Sequence, residues 1–156
     1  MELRLSEHFT LEELCKSDTA IRLGINNTPD SGAISCLDYL ANRILEPIRG
    51  HYGIPYTPSS GYRSTELNQA VGGSPDSQHC LGQAADIEVP SVSNLSLAWW
   101  IRTHLDYDQL ILEYFTVGEP SSGWVHISVV PPDSRRHNRH DTFVYDGTSY
   151  TRGLPG

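Results

Sequence analysis

A chain of 156 residues is long enough for one domain whose hydrophobic core needs no disulfide staples. Its 38% hydrophobic and 19% charged residues are ordinary for a globular protein, and no stretch approaches the ~18 apolar residues of a membrane span. A formal charge of −8 argues against sequence-independent nucleic-acid binding and gives no electrostatic help toward anionic polymers.

The N-terminal run Met1-Glu2-Leu3-Arg4-Leu5-Ser6 lacks the basic-then-apolar pattern of a signal peptide, so synthesis in the cytoplasm without one is expected. Thr10-Leu11-Glu12-Glu13 reads as a capping box, with Phe9 and Leu14 placed to staple the start of a short helix. Asn26 to Asp30 has turn chemistry. From about Ala33 to Tyr52, Leu37, Leu40, Ala41, Ile44 and Ile48 recur at helical spacing, and Pro47 is expected to kink or shorten that helix. Tyr56 to Ser60 suits an edge strand, because Pro58 cannot donate to a central ladder. Arg63 follows; taken alone, it reads as a surface residue lying over Tyr62. Thr65 to about Val71 predicts a short helix stopped by Gly72-Gly73, and the next loop delivers Ser77.

The densest chemistry lies in Ser77-Gln78-His79-Cys80-Leu81-Gly82-Gln83-Ala84-Ala85-Asp86. Gly82 permits a sharp turn between His79 and Asp86, and Ala84 to Val89 predicts a strand. A neutral imidazole with a carboxylate suits a borderline metal such as zinc. A catalytic zinc needs a third ligand and one open position; Trp124-Val125-His126-Ile127-Ser128 alternates like a strand and offers His126. The plainer alternative is a hydrogen-bonded His–Asp pair in an inert core. Cys15, Cys36 and Cys80 are odd in number and irregular in spacing, which predicts free thiols, Cys80 being a packing residue and not a ligand.

Asn94 to about Leu105 reads as a helix, on which Trp99 and Trp100 point apart so that at most one is fully buried. Gln109 to Phe115 and Gly123 to Val129 predict a hairpin centred near Glu119-Pro120. That register puts Glu113 roughly opposite His126 and within reach of the same pocket. Arg135 to His140 is basic and reads as a solvated loop, despite a His137/His140 spacing that could bind metal. Thr142 to Tyr150 predicts a last small hairpin with Asp146-Gly147 at its turn. The expected whole is one α+β domain over 1–156, a small antiparallel sheet backed by helices with the zinc site on the sheet face.

Ser-x-His-x-x-Gly-x-Ala-x-Asp followed by Trp-Val-His-x-Ser resembles the zinc D-Ala-D-Ala carboxypeptidase family, peptidase M15. Glu7-His8-Phe9-Thr10, Glu13-Leu14, Asn27-Thr28-Pro29, Ser60-Gly61-Tyr62-Arg63-Ser64, Asn68 and Gly72-Gly73 are similar to its phage and prophage endolysin branch. The resemblance implies Zn2+ held by His79, Asp86 and His126, and Glu113 as general base. It also implies Arg63 on a substrate carboxylate or oxyanion, with Ser77 and Ser128 near the substrate. Some members place the base three residues before the last histidine, where this chain has Gly123; Glu119 and Glu88 are the weaker substitutes for Glu113. The implied substrate is a peptidoglycan stem or cross-link peptide, cut by a monomer reaching the cell wall after membrane permeabilisation. A non-catalytic zinc-binding recognition module, or a virion structural part on the same fold, is the competing reading.

Overall fold

The computed structural model describes residues 2–156. Thr10 caps α1 (Leu11–Cys15) with both halves of the capping box formed, and Phe9 and Leu14 are fully buried around it. After α2 (Asp18–Leu23), a long helical run comprises α3 (Ser31–Leu40), a π-helical turn (Ala41–Leu45) and α4 (Glu46–Tyr52). Pro47 does not end this run. It occupies the first turn of α4, where a missing N–H costs least, and the wider π turn precedes it. The run buries Leu37, Leu40, Ile44 and Ile48, the face that the helical spacing marks as core.

A short α5 (Thr65–Ala70) is capped by Ser64, as expected of the stretch before Gly72-Gly73. α6 (Asn94–His104) buries Leu97, Ala98 and Ile101. Neither Trp99 nor Trp100 is fully buried: Trp100 stacks on His51 and His104, and Trp99 donates to the Pro155 carbonyl.

The five strands are β1 (Ala84–Ile87), β2 (Gln109–Glu113), β3 (Trp124–Ser128), β4 (Asp141–Tyr145) and β5 (Tyr150–Arg152), in the spatial order β1-β3-β2-β4-β5. The α+β expectation holds, but the sheet is mixed and not wholly antiparallel: β4 enters beside β2 in parallel before turning back into β5. The Tyr56–Ser60 segment makes no full strand. Ser60 forms a single antiparallel bridge with Asp86 at the free edge of β1, consistent with Pro58 being unable to extend a ladder.

Alternation divides the sheet into two faces. Ala85, Ile87, Leu110, Leu112, Val125 and Ile127 point into the core shared with the helices. Asp86, Ile111, Glu113, His126 and Phe143 therefore share the other face.

The 131–140 segment is anchored, contrary to its reading as a free solvated loop. Asp108 is fully buried, and Arg136 grips it through two bonds, Nη1 to Oδ1 at 2.6 Å and Nη2 to Oδ2 at 2.9 Å. Arg139 adds its backbone N–H, Nε and Nη2 to the same carboxylate. Burial alone would raise the Asp108 carboxyl, but these hydrogen bonds outweigh it and hold the group well below the usual carboxylate range. A depressed folded-state pKa means the stabilisation is complete above about pH 4 and is lost as pH falls below it. Asp108→Asn should therefore cost about 2 kcal/mol at neutral pH. It should also flatten the loss of thermal stability as pH falls from about 4 toward 2. Thermal melts across that range check both, and an unchanged acid limb would refute the assignment.

Candidate metal centre

The antiparallel register sets Asp86 directly opposite His126 on the face turned away from the helices. Each residue is 8% exposed, and His126 Nδ1 lies 3.1 Å from Asp86 Oδ1. His79 arrives from a 3-10 turn (Gln78–Leu81). Ser77 opens that turn by accepting a hydrogen bond from the His79 N–H at 3.2 Å, and Gly82 closes it with φ of 75°. The expected turn between the two motif residues is thus present, and Ser77 acts on the backbone of His79.

His79 Nδ1 sits 2.7 Å from the Gly61 carbonyl oxygen. A carbonyl only accepts, so Nδ1 carries the proton and the lone pair of Nε2 faces the site, 3.4 Å from Asp86 Oδ1. One ligand atom from each of His79, Asp86 and His126 lies within 4.8 Å of the others. Among the described residues this is the only such convergence of three or more His, Cys, Asp or Glu. His137 and Cys80 do not enter it, and His140 pairs instead with Asp106.

The donor set fits a metal ion. Among the described residues buried His79 Nε2 has no hydrogen-bond partner, so a lone pair points at another electron-rich atom with nothing between them to satisfy it. Burial lowers the His79 pKa, outweighing the carboxylate beside it, and so favours the neutral ring that a metal requires. Burial pushes Asp86 the other way, yet the adjoining His79 and His126, with the bonds they make, keep its carboxyl well below the ordinary range. Two imidazole nitrogens and one carboxylate oxygen could hold a divalent ion of the zinc type with a position left open.

The site opens into a groove of about 760 Å³. Glu113 lines it, with Oε1 3.7 Å from His126 Nδ1. The register is shifted by two residues from the expected one: Glu113 pairs with Trp124, and Ile111 lies opposite His126. A shift of two keeps Glu113 on the same face, so it still reaches the pocket, diagonally. Burial raises the Glu113 pKa, only partly offset by His126. Glu88 is bonded to Asn94, Glu119 is exposed in the hairpin loop, and neither lines the groove. Gly123 is barred from carrying any side chain: its φ is 63°, and a Cβ there would fall 1.8 Å from the Glu113 carbonyl oxygen.

Arg63 is no surface residue. Its Nε donates to Ser60 Oγ at 3.1 Å and its Nη1 to Asn68 Oδ1 at 3.0 Å, while Nη2 lies 3.5 Å from Asp86 Oδ2. Ser128 is fully buried and accepts a hydrogen bond from the Gln109 N–H, and it does not line the groove. Sequence reasoning did not single out Asp108 or the Gly61 carbonyl, because each acts through a partner distant in sequence, 28 residues away at Arg136 and 18 at His79.

No curated protein matches the chain. The family model described as Peptidase M15 does match, over residues 7–128, a span containing His79, Asp86, Glu113 and His126. M15 peptidases depend on a metal, and the buried His–Asp–His group could bind one. The chain thus belongs to the peptidase M15 family of metallopeptidases.

Proposed function

We propose that the protein is a zinc peptidase that hydrolyses an amide bond in the peptide part of peptidoglycan, as a carboxypeptidase or endopeptidase of the phage and prophage lysis type. His79, Asp86 and His126 are the ligands in this reading. Zinc held there supplies Lewis acidity toward the scissile carbonyl and a water acidified to near neutrality. The observation that carries the proposal is Glu113, a carboxylate beside the ligand group at the wall of an open groove. It takes the proton of the attacking water and returns it to the departing amine. Its burial makes it a stronger base than an exposed glutamate, with His126 Nδ1 3.7 Å away.

Arg63 is held by Ser60 and Asn68 so that its fork stays at the mouth of the site. It orients a substrate carboxylate or carbonyl while countering the charge of Asp86. The peptidoglycan assignment rests on the likeness of the Ser77–Asp86 and Trp124–Ser128 motifs to the wall-cleaving branch. An extended groove open to solvent suits a peptide attached to a larger polymer.

Four outcomes test this. The purified protein should bind one zinc, and a strong chelator should remove activity that zinc restores. His126→Ala should lose zinc and activity together, as read by elemental analysis and digestion of cell walls. Glu113→Gln should keep zinc and its melting temperature while turnover falls by about 10²–10⁴-fold. Near-normal hydrolysis in that variant would remove Glu113 from the mechanism and favour a module that only binds. Arg63→Lys should lower kcat/KM with zinc content unchanged, because the charge persists and the planar fork does not.

A further inference from the structure

The match to the family ends at Ser128, yet the far side of the groove is built after it. Arg136 and Arg139 form one wall, above Asp108. Tyr145 and Tyr150 form the other, stacked at 4.5 Å between ring centroids. Tyr114, which follows Glu113, extends that wall: its ring meets Tyr145 edge to face at 5.3 Å and lies 5.1 Å from Trp124. The result is a continuous aromatic row along the rim, in which Tyr114 is 51% and Tyr150 60% exposed.

The row is held in place from behind. Tyr114 has φ of 54°, a left-handed backbone that bulky residues rarely adopt and that marks a position under constraint. The turn before β5 packs on its ring at Gly147, whose φ of 101° suits glycine. Tyr145 Oη donates to the Gly147 carbonyl at 3.0 Å, and Asp146 accepts the N–H groups of Thr148 and Ser149. The hydroxyls of Tyr114 and Tyr150 have no partner among the described residues. The cations that line the groove, Arg63, Arg136 and Arg139, pair with Asp86 and Asp108, and Arg152 covers Phe143 and pairs with Asp141. Rings ordered in advance, uncharged and edged by free hydroxyls suit a neutral ligand with a C–H face and a polar rim.

We propose that Tyr114, Tyr145 and Tyr150 form a saccharide subsite, stacking a pyranose ring that is joined to the peptide being cut. This rests on the peptidase reading above for the position of that peptide. The axial C–H groups of a pyranose present a flat, weakly positive face to the negative face of an aromatic ring, while its hydroxyls meet the tyrosine edges. Tyr145 stands two strands across and two residues along from His126. At about 4.8 Å per strand and about 3.4 Å per residue, that separation is about 12 Å. An extended peptide covers it in about three or four residues, so the sugar and the cut bond are close neighbours on the polymer.

The test uses the full-length zinc-loaded protein and the trimer of N-acetylglucosamine, a saccharide that carries no peptide. Saturation-transfer NMR should show the sugar's ring C–H protons in contact with the protein. Tyr150→Ala should weaken that binding about tenfold, whereas Tyr150→Phe should hold it within about twofold, because the stacking face survives. Tyr145→Ala should act as Tyr150→Ala does; should it not fold, Tyr150, exposed on the edge strand β5, decides alone. With a saccharide-linked peptide as substrate, Tyr150→Ala should raise KM about tenfold and leave the KM for the free peptide unchanged. Absence of saccharide binding overturns the proposal, as does binding that Tyr150→Ala leaves intact. So does an apolar tripeptide, Leu-Phe-Leu, that displaces the sugar, since it would mark the row as a protein-docking surface. Hydrolysis without saccharide binding would refute this inference alone; saccharide binding without hydrolysis would leave the tyrosine subsite standing and refute the peptidase reading.

Discussion

Everything at the site follows from one pairing, Asp86 against His126 across β1 and β3. A carboxylate buried on a sheet face is costly unless opposite charge or hydrogen-bond donors surround it. Here His79 and His126 flank it at 3.4 and 3.1 Å, and Arg63 approaches from the third side at 3.5 Å. Yet His79 donates its only ring proton to Gly61, so the nitrogen facing Asp86 has none to give. The arrangement is under-protonated for a hydrogen-bonded cluster and well suited to a cation. That geometry favours a group that could hold a metal over the inert His–Asp pair that the sequence alone left open.

The rest of the fold keeps this pairing in place. The apolar face of the sheet is locked to α6 and to the long helical run, so β1 and β3 cannot slip by one residue without turning Ile87 and Val125 out of the core. On the free edge of β1, the bridge from Ser60 to Asp86 carries Gly61 and Arg63 into position in the same stroke. The groups that orient His79 and flank Asp86 are therefore supplied by a segment with no strand of its own. Its placement depends on the hydrogen bond from Tyr62 N–H to the Leu14 carbonyl at the end of α1.

How much of this could be read from the residues depended on how local the signal was. The capping box at Thr10, the stop at Gly72-Gly73 and the turn at Gly82 involve neighbours in sequence, and each formed as expected. The core face of Leu37 to Ile48 was legible because helical period and burial coincide. The hairpin was legible in type but two residues off in register. Its loop is centred at Gly118-Glu119, one position before Glu119-Pro120, and moving the centre by one residue moves the cross-strand partner by two. The parallel entry of β4 beside β2 left no trace in local pattern, because a strand's neighbour is chosen by what else can cover the edge. Asp108 was missed for a related reason: a lone acid before an apolar strand looks like a surface residue until Arg136 and Arg139 close over it.

That closure links the fold to the chemistry. Burying Asp108 requires two cations from a segment that would otherwise be a mobile basic loop, and ordering that segment delivers β4 to the edge of β2. The backbone of Asp141 donates to the Asp108 carbonyl at the start of the parallel pair, so the ion cluster and the strand begin at one point. The groove consequently has two parts with different origins. The His79–Asp86–His126 group and Glu113 come from the portion matched to the family, whereas the arginine and tyrosine walls come from the portion after it. Changes in the second portion can alter which peptide lies in the groove without disturbing the His79–Asp86–His126 geometry, because the strands joining them, β2 and β3, are fixed from the core side.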